Sequence, residues 1–177
     1  MTEAALNEFQ KSNLNINLKL KILPMFLTPH AATGIYIGSQ IPNAWLAFLF
    51  GFISHLLLDF IPHGDESLGE RWNGKIKVYH LALISGLDMI VVGLLTYYLI
   101  ANRIVPLTPA VLAGLAGSIL PDYIWGLHEI TKDKVTGWIS SNILSACHHL
   151  LPVRLPLKVG VIIQLTTLLI FMRLLTI

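Results

Sequence analysis

From residue 81 to residue 101 the chain carries one charged side chain, Asp88, and from 107 to 125 again only one, Asp122. Runs of about 20 apolar residues match the hydrocarbon thickness of a bilayer. In that solvent every backbone amide must find its partner inside the protein, which leaves helices and closed barrels as the spanning structures. The runs are continuous rather than alternating, so they predict helices. Composition agrees: 54% of residues are apolar and 12% charged, with a mean hydropathy of +0.68. The net charge of +2 is too small for a nucleic-acid surface, and no basic run is interleaved with aromatics. The single Cys147 excludes an internal disulfide. The first apolar run is broken by Pro24 and Pro29 and lacks a small-residue cleavage site, so no cleavable signal peptide is expected.

The expected fold is all-α, a polytopic membrane helix bundle of about five segments with the first short or broken. Residues 1–24 read as a polar N-terminal tail or extension, since Met25 could itself serve as a start, and 25–177 as a single integral membrane helical domain. The first helix begins at Thr28-Pro29, Thr as N-cap and Pro at the first helical position, and runs to about Ile41. It contains Gly34 and Gly38, the small-xxx-small spacing that lets membrane helices approach closely. Further spans are expected at about 44–61, 80–101, 107–125 and 155–177. Residues 127–154 are mixed, with Ser140-Ser141 capping a short helix that carries Cys147-His148-His149.

Charge orients these segments. With the N-terminus cytoplasmic and all five crossing, only Arg103 and Arg173 of the twelve Lys and Arg residues fall on the outer side. The same topology brings His30, His55, Asp59, Asp88, Asp122 and the His148-His149 pair to the cytoplasmic leaflet. His55 and Asp59 lie four residues apart, one turn apart on one helix face, and Pro62 then bends the chain so that His63 and Asp65 follow beside them.

Acids and histidines inside a membrane are costly and need a partner. A divalent cation serves both, neutralising carboxylates and taking imidazole lone pairs, and a mixed His/Asp set suits zinc or another borderline metal better than calcium. The number of candidate ligands allows one or two ions. Other readings stand beside this one. His55 and Asp59 could form a structural hydrogen bond, and Asp88 a helix-packing bond to Ser85 or a threonine. His63 and Asp65 could be solvated turn residues. His80 and His128 read as interfacial, and Trp45, Trp125, Tyr97 and Tyr98 as belt or packing aromatics.

These residues resemble a known family, the YdjM-like membrane-bound metal-dependent hydrolases. Gly51-Phe52-Ile53-Ser54-His55-Leu56-Leu57-Leu58-Asp59 resembles its Gly-aromatic-x-Ser-His-x-x-x-Asp segment, Leu120-Pro121-Asp122 its Leu-Pro-Asp segment, and Thr28-Pro29-His30 an early His. Here the Leu-Pro-Asp element follows the Ser-His element instead of preceding it, and Tyr123-Ile124 stand where the family continues to a further His. The resemblance implies a membrane-bound hydrolase, in a prokaryotic inner membrane, with its site facing the cytoplasm.

The function expected is metal-dependent hydrolysis of a phosphoester or head group of a membrane lipid. His30, His55, Asp59, Asp88, Asp122 and one or both of His148 and His149 would hold the metal, with His63 or Asp65 relaying a proton. A cation or proton transporter would need polar groups through the full depth, for which Thr96, Thr108 and Gln164 are the available candidates in the outer halves. A non-catalytic scaffold stapled by a structural metal uses the same ligands.

Overall fold

A computed structural model of the chain describes residues 26–61, 78–131, 133–140, 142 and 155–177. The regular structure among these residues is all helix, and no strand occurs among them. The helices are α1 (Leu27–Gln40), α2 (Ala44–Asp59), α3 (Val78–Ala101), α4 (Pro109–Thr131), the single-turn-and-a-half α5 (Lys134–Ile139) and α6 (Leu157–Leu175). Three are long and apolar enough to cross a membrane, over Ala82–Ala101, Pro109–His128 and Lys158–Leu175, consistent with an integral membrane protein. Their large apolar side chains face outwards: Leu83, Leu87, Ile90, Leu94, Ile162 and Leu169 are each more than half exposed. A water-soluble monomer does not present apolar surface on that scale.

Two helices are shorter. α1 has 14 residues and α2 has 16, about 21 and 24 Å at 1.5 Å per residue, against about 36 Å for α3. Asn43 caps α2, its side chain accepting from the amides of Trp45 and Leu46, so the turn from α1 takes three residues. α1 sits at the centre, touching α2, α3, α4 and α6. Its far half packs Ile35 against Leu99, Val105 and Val111, with Met172 and Leu175 beside them, and Tyr36 against Phe171 at 5.7 Å between ring centroids. These pairings set α1, α3 and α6 in one direction and α2 and α4 in the other.

α1, α2 and α4 meet through glycine. A β-carbon at Gly34 would run into the Gly114 carbonyl oxygen, one at Gly51 into the same oxygen, and one at Gly117 into the Phe48 carbonyl. The Gly34/Gly38 spacing therefore does what it predicts, and its partner surface is Ala110, Val111, Gly114 and Ser118 on α4.

Some boundaries differ from those the sequence predicts. α1 starts at Leu27 with Phe26 at the N-cap, and Thr28 donates its hydroxyl to Asp88 on α3 instead of capping its own helix. α3 ends with Arg103 at φ 57°, where the Ile104 amide reaches the Leu99 carbonyl and the Arg103 amide that of Ile100, a left-handed stop usually given to glycine. α4 continues through Gly126 to Thr131, past the residue-125 boundary.

α5 was not foreseen. Asp133 caps it, accepting from the Thr136 hydroxyl and amide, the Thr131 hydroxyl and the Val135 amide. These bonds, the Thr136 hydroxyl first, hold the Asp133 carboxyl well below the usual carboxylate range. A carboxyl depressed on folding stabilises above its unfolded pKa, and that contribution disappears as pH falls through the lower folded value. Amide exchange at Val135 and Thr136 is therefore expected to stay protected down through pH 4 in wild type and to be fast at every pH in Asp133→Ala. His128 belongs to this turn: its Nδ1 lies 3.2 Å from the Asp133 carbonyl and its ring against Gly137.

Candidate metal centre

His55 and Asp59 occupy the last turn and a half of α2, His30 the first turns of α1, and Asp122 the later part of α4. All four are brought together. His55 Nε2 lies 3.1 Å from Asp59 Oδ2 and 3.6 Å from Asp122 Oδ1, and His30 Nε2 lies 3.4 Å from Asp59 Oδ1. The two imidazoles stack with centroids 4.0 Å apart and planes 24° from parallel. His30 is 0% exposed, His55 1% and Asp59 6%. One ligand atom from each of His30, His55 and Asp59 falls within 4.8 Å of the others, a group that could hold a metal ion. Asp122 stands at its edge.

The hydrogen bond behind His55 decides what its front nitrogen can do. Nδ1 lies 2.6 Å from the backbone carbonyl of Ser118. A carbonyl only accepts, so Nδ1 carries the proton and donates. Nε2 is then left facing two carboxylates. In a neutral imidazole that nitrogen is a lone pair pointed at anions, which is repulsive until a cation is placed between them. Protonating it instead would put an imidazolium against the His30 ring, and protonating both would stack two cations. His30, His55 and Asp59 could hold a metal ion between them, and a backbone carbonyl holding the far nitrogen is the usual way a histidine ligand is oriented.

The separations of 3.1 and 3.4 Å run through different oxygens of Asp59 and that of 3.6 Å through Asp122, and one ligand atom from each of His30, His55 and Asp59 lies within 4.8 Å of the others.

Pro121 is buried inside α4, where it removes the amide that would bond the Gly117 carbonyl, one residue before Ser118.

Asp88 is placed elsewhere than in this cluster. Its carboxylate accepts the Leu27 amide and the Thr28 hydroxyl at the start of α1, the helix-packing bond to a threonine in place of a ligand role. His63, Asp65, His148 and His149 lie outside the described residues. Three contributors have weak or no sequence signals. Ser118 acts through its carbonyl, which any residue supplies. Thr28 was read as a cap for its own helix. Gln164 lies not in an outer half but at the site end of α6, its Oε1 accepting the Phe26 amide at 3.3 Å, as counting from Lys158 would have shown.

Depth follows from the same counting. Asp88 lies ten residues from Val78 at the start of α3, Asp122 nine from Thr131 at the end of α4 and Gln164 seven from Leu157 at the start of α6. At 1.5 Å per residue the three lie about 10–15 Å inside their helices. α1 begins and α2 ends at this depth, so the cluster sits at the open ends of two short helices, recessed below the ends of three long ones.

Comparison with models of known families, with curated proteins and with solved structures finds no match for this chain.

Proposed function

We propose that the protein is a five-pass integral membrane hydrolase, with its N-terminus cytoplasmic, that uses a divalent metal, zinc by preference, at a recessed site on the cytoplasmic side. The observation that carries this reading is the donor geometry: His55, held at Nδ1 by the Ser118 carbonyl, turns Nε2 to Asp59 and Asp122 at 3.1 and 3.6 Å, with His30 3.4 Å from the other Asp59 oxygen. Catalytic zinc sites keep three protein ligands and one open position. His30, His55 and Asp59 would supply the three, with Asp122 3.6 Å from His55 beside them. A bound divalent ion lowers the pKa of its water and polarises the scissile oxygen. His63 or Asp65 would relay the proton, and His148 or His149 would supply a further ligand or bind a second ion.

The alternation of helix directions supports the five crossings, and the bias of Lys and Arg supports the orientation. A site about 10–15 Å inside the ends of three long apolar helices is reached more readily by a membrane lipid than by a soluble metabolite, which supports a lipid phosphoester or head group as substrate. The resemblance to the YdjM-like hydrolases points the same way, and with it a prokaryotic inner membrane.

Transport is less well supported. Beyond the site the path is filled by Ile35, Leu99, Val105 and Val111. Thr96 is bonded to its own helix at Val92, and Thr108 accepts the Val111 amide.

The test is metal analysis of purified wild type, His55→Ala and Asp59→Ala, followed by hydrolysis of a phospholipid and polyprenyl-phosphate panel. Stoichiometric metal in wild type alone, with turnover that falls at least a hundredfold in both variants, is expected. Stoichiometric metal without turnover of any panel member would favour a structural staple, and no metal would end the reading.

A further inference from the structure

We propose that Asp88 and Gln164 are positioning residues that hang the start of α1 at the depth of the metal centre and so fix His30; this rests on the metal reading above. A helix start leaves its first amides without partners in its own ladder, and inside a membrane each such group costs several kcal/mol. α1 begins at the polar layer with Phe26 as an N-cap whose side chain caps nothing. Its groups are met instead from other helices: the Phe26 amide by Gln164 on α6, the Leu27 amide and Thr28 hydroxyl by the two oxygens of Asp88 on α3. Both acceptors meet consecutive residues at the start of α1 and so lie at one level. A carboxylate there also meets the positive end of the α1 dipole.

His30 follows Thr28 by two residues, so whatever sets the height and rotation of Thr28 sets His30. Another face of α1 is the glycine contact of Gly34 and Gly38 with α4, where α1 brings no side chain of its own to stop sliding. A slip of one residue, about 1.5 Å along the axis and 100° around it, would take His30 Nε2 off its 3.4 Å approach to Asp59. Asp88 is therefore bound to the site through α1, not through the metal.

Asparagine can take over this role, because its oxygen accepts the Leu27 amide while its amide group donates to the Thr28 hydroxyl, which both donates and accepts. It would be a poor replacement for a carboxylate ligand. The experiment titrates Co²⁺ into the purified full chain and its variants in detergent, reading affinity and the visible absorption bands. Asp88→Ala is expected to weaken Co²⁺ binding ten- to a hundredfold, the loss seen when the groups behind a ligand are removed, with band positions unchanged. Asp88→Asn should stay within about threefold of wild type, and Gln164→Leu should fall between. In a His30→Ala background Asp88→Ala should add less than a twofold loss, because its route to the metal has gone. Bands that shift in Asp88→Asn would make Asp88 a ligand and overturn the proposal. So would wild-type affinity in Asp88→Ala, or an undiminished loss when His30 is absent. If Asp88→Ala does not fold, Asp88→Asn and Gln164→Leu decide by the same criteria. Failure of wild type itself to bind Co²⁺ would remove the metal reading and this one together, whereas binding that ignores Asp88 and Gln164 removes only this one.

Discussion

Chelating the metal is expected to lower the thermal midpoint of the wild-type protein by on the order of 10 °C and to leave His55→Ala unmoved. A ligand present at a thousand times its Kd stabilises the folded state by about 4 kcal/mol, and in a chain of this size 1 kcal/mol corresponds to about 2–4 °C. The contrast with a purely structural cluster is sharp. If His30, His55, Asp59 and Asp122 merely paired with one another, a chelator would change nothing, while His55→Ala would still cost about 3–5 kcal/mol by leaving buried carboxylates uncompensated. The ranking of variants carries further information. Asp59 approaches both imidazoles through separate oxygens, whereas the recorded approach of Asp122 is to His55. Asp59→Asn is therefore expected to lower metal content more than Asp122→Asn, measured on protein purified without added metal.

Why some of this was legible in the sequence and some not can be argued residue by residue. His55 and Asp59 are four apart on one helix, so their shared face follows from helix geometry alone. Their meeting with His30 and Asp122 follows from alternating direction, since each lies near the same end of its segment. Asp88 satisfied that same count and yet serves another purpose. Direction and depth place a residue in a layer, but only tertiary packing decides which neighbour it meets within that layer. Thr28 failed for a related reason: Thr-Pro is a sound local start signal, yet a carboxylate on α3 competed for the hydroxyl and won. The mixed segment after residue 126 hid α5, although Asp133 with Thr136 three residues on is the pattern of an N-cap. The carbonyl of Ser118 had no signal at all.

The glycines make the second large prediction, because the same substitution should act in opposite directions at different sites. At Gly114 an added β-carbon meets the Gly34 carbonyl oxygen, and at Gly34 it meets the Gly114 carbonyl. Both obstacles are backbone, so no rotamer can relieve them and the helices must separate. Overpacking costs about 1–3 kcal/mol where side chains can adjust, and Gly114→Ala is expected at or above the top of that range. Separation would also draw α4 away from α1 and α2, loosening the 2.6 Å bond from His55 to the Ser118 carbonyl four residues further on, so metal affinity should fall with stability. Gly86 and Gly93 on α3 have nothing within 4 Å of an added β-carbon. There alanine replaces the poorer helix former on an open face, and Gly93→Ala should stabilise by up to about 1 kcal/mol with metal binding unchanged. Equilibrium unfolding of both variants in mixed micelles measures the two signs side by side. Equal and small effects at Gly114 and Gly93 would mean that α1 and α4 do not meet backbone to backbone, and that the surface orienting His55 is not the one described.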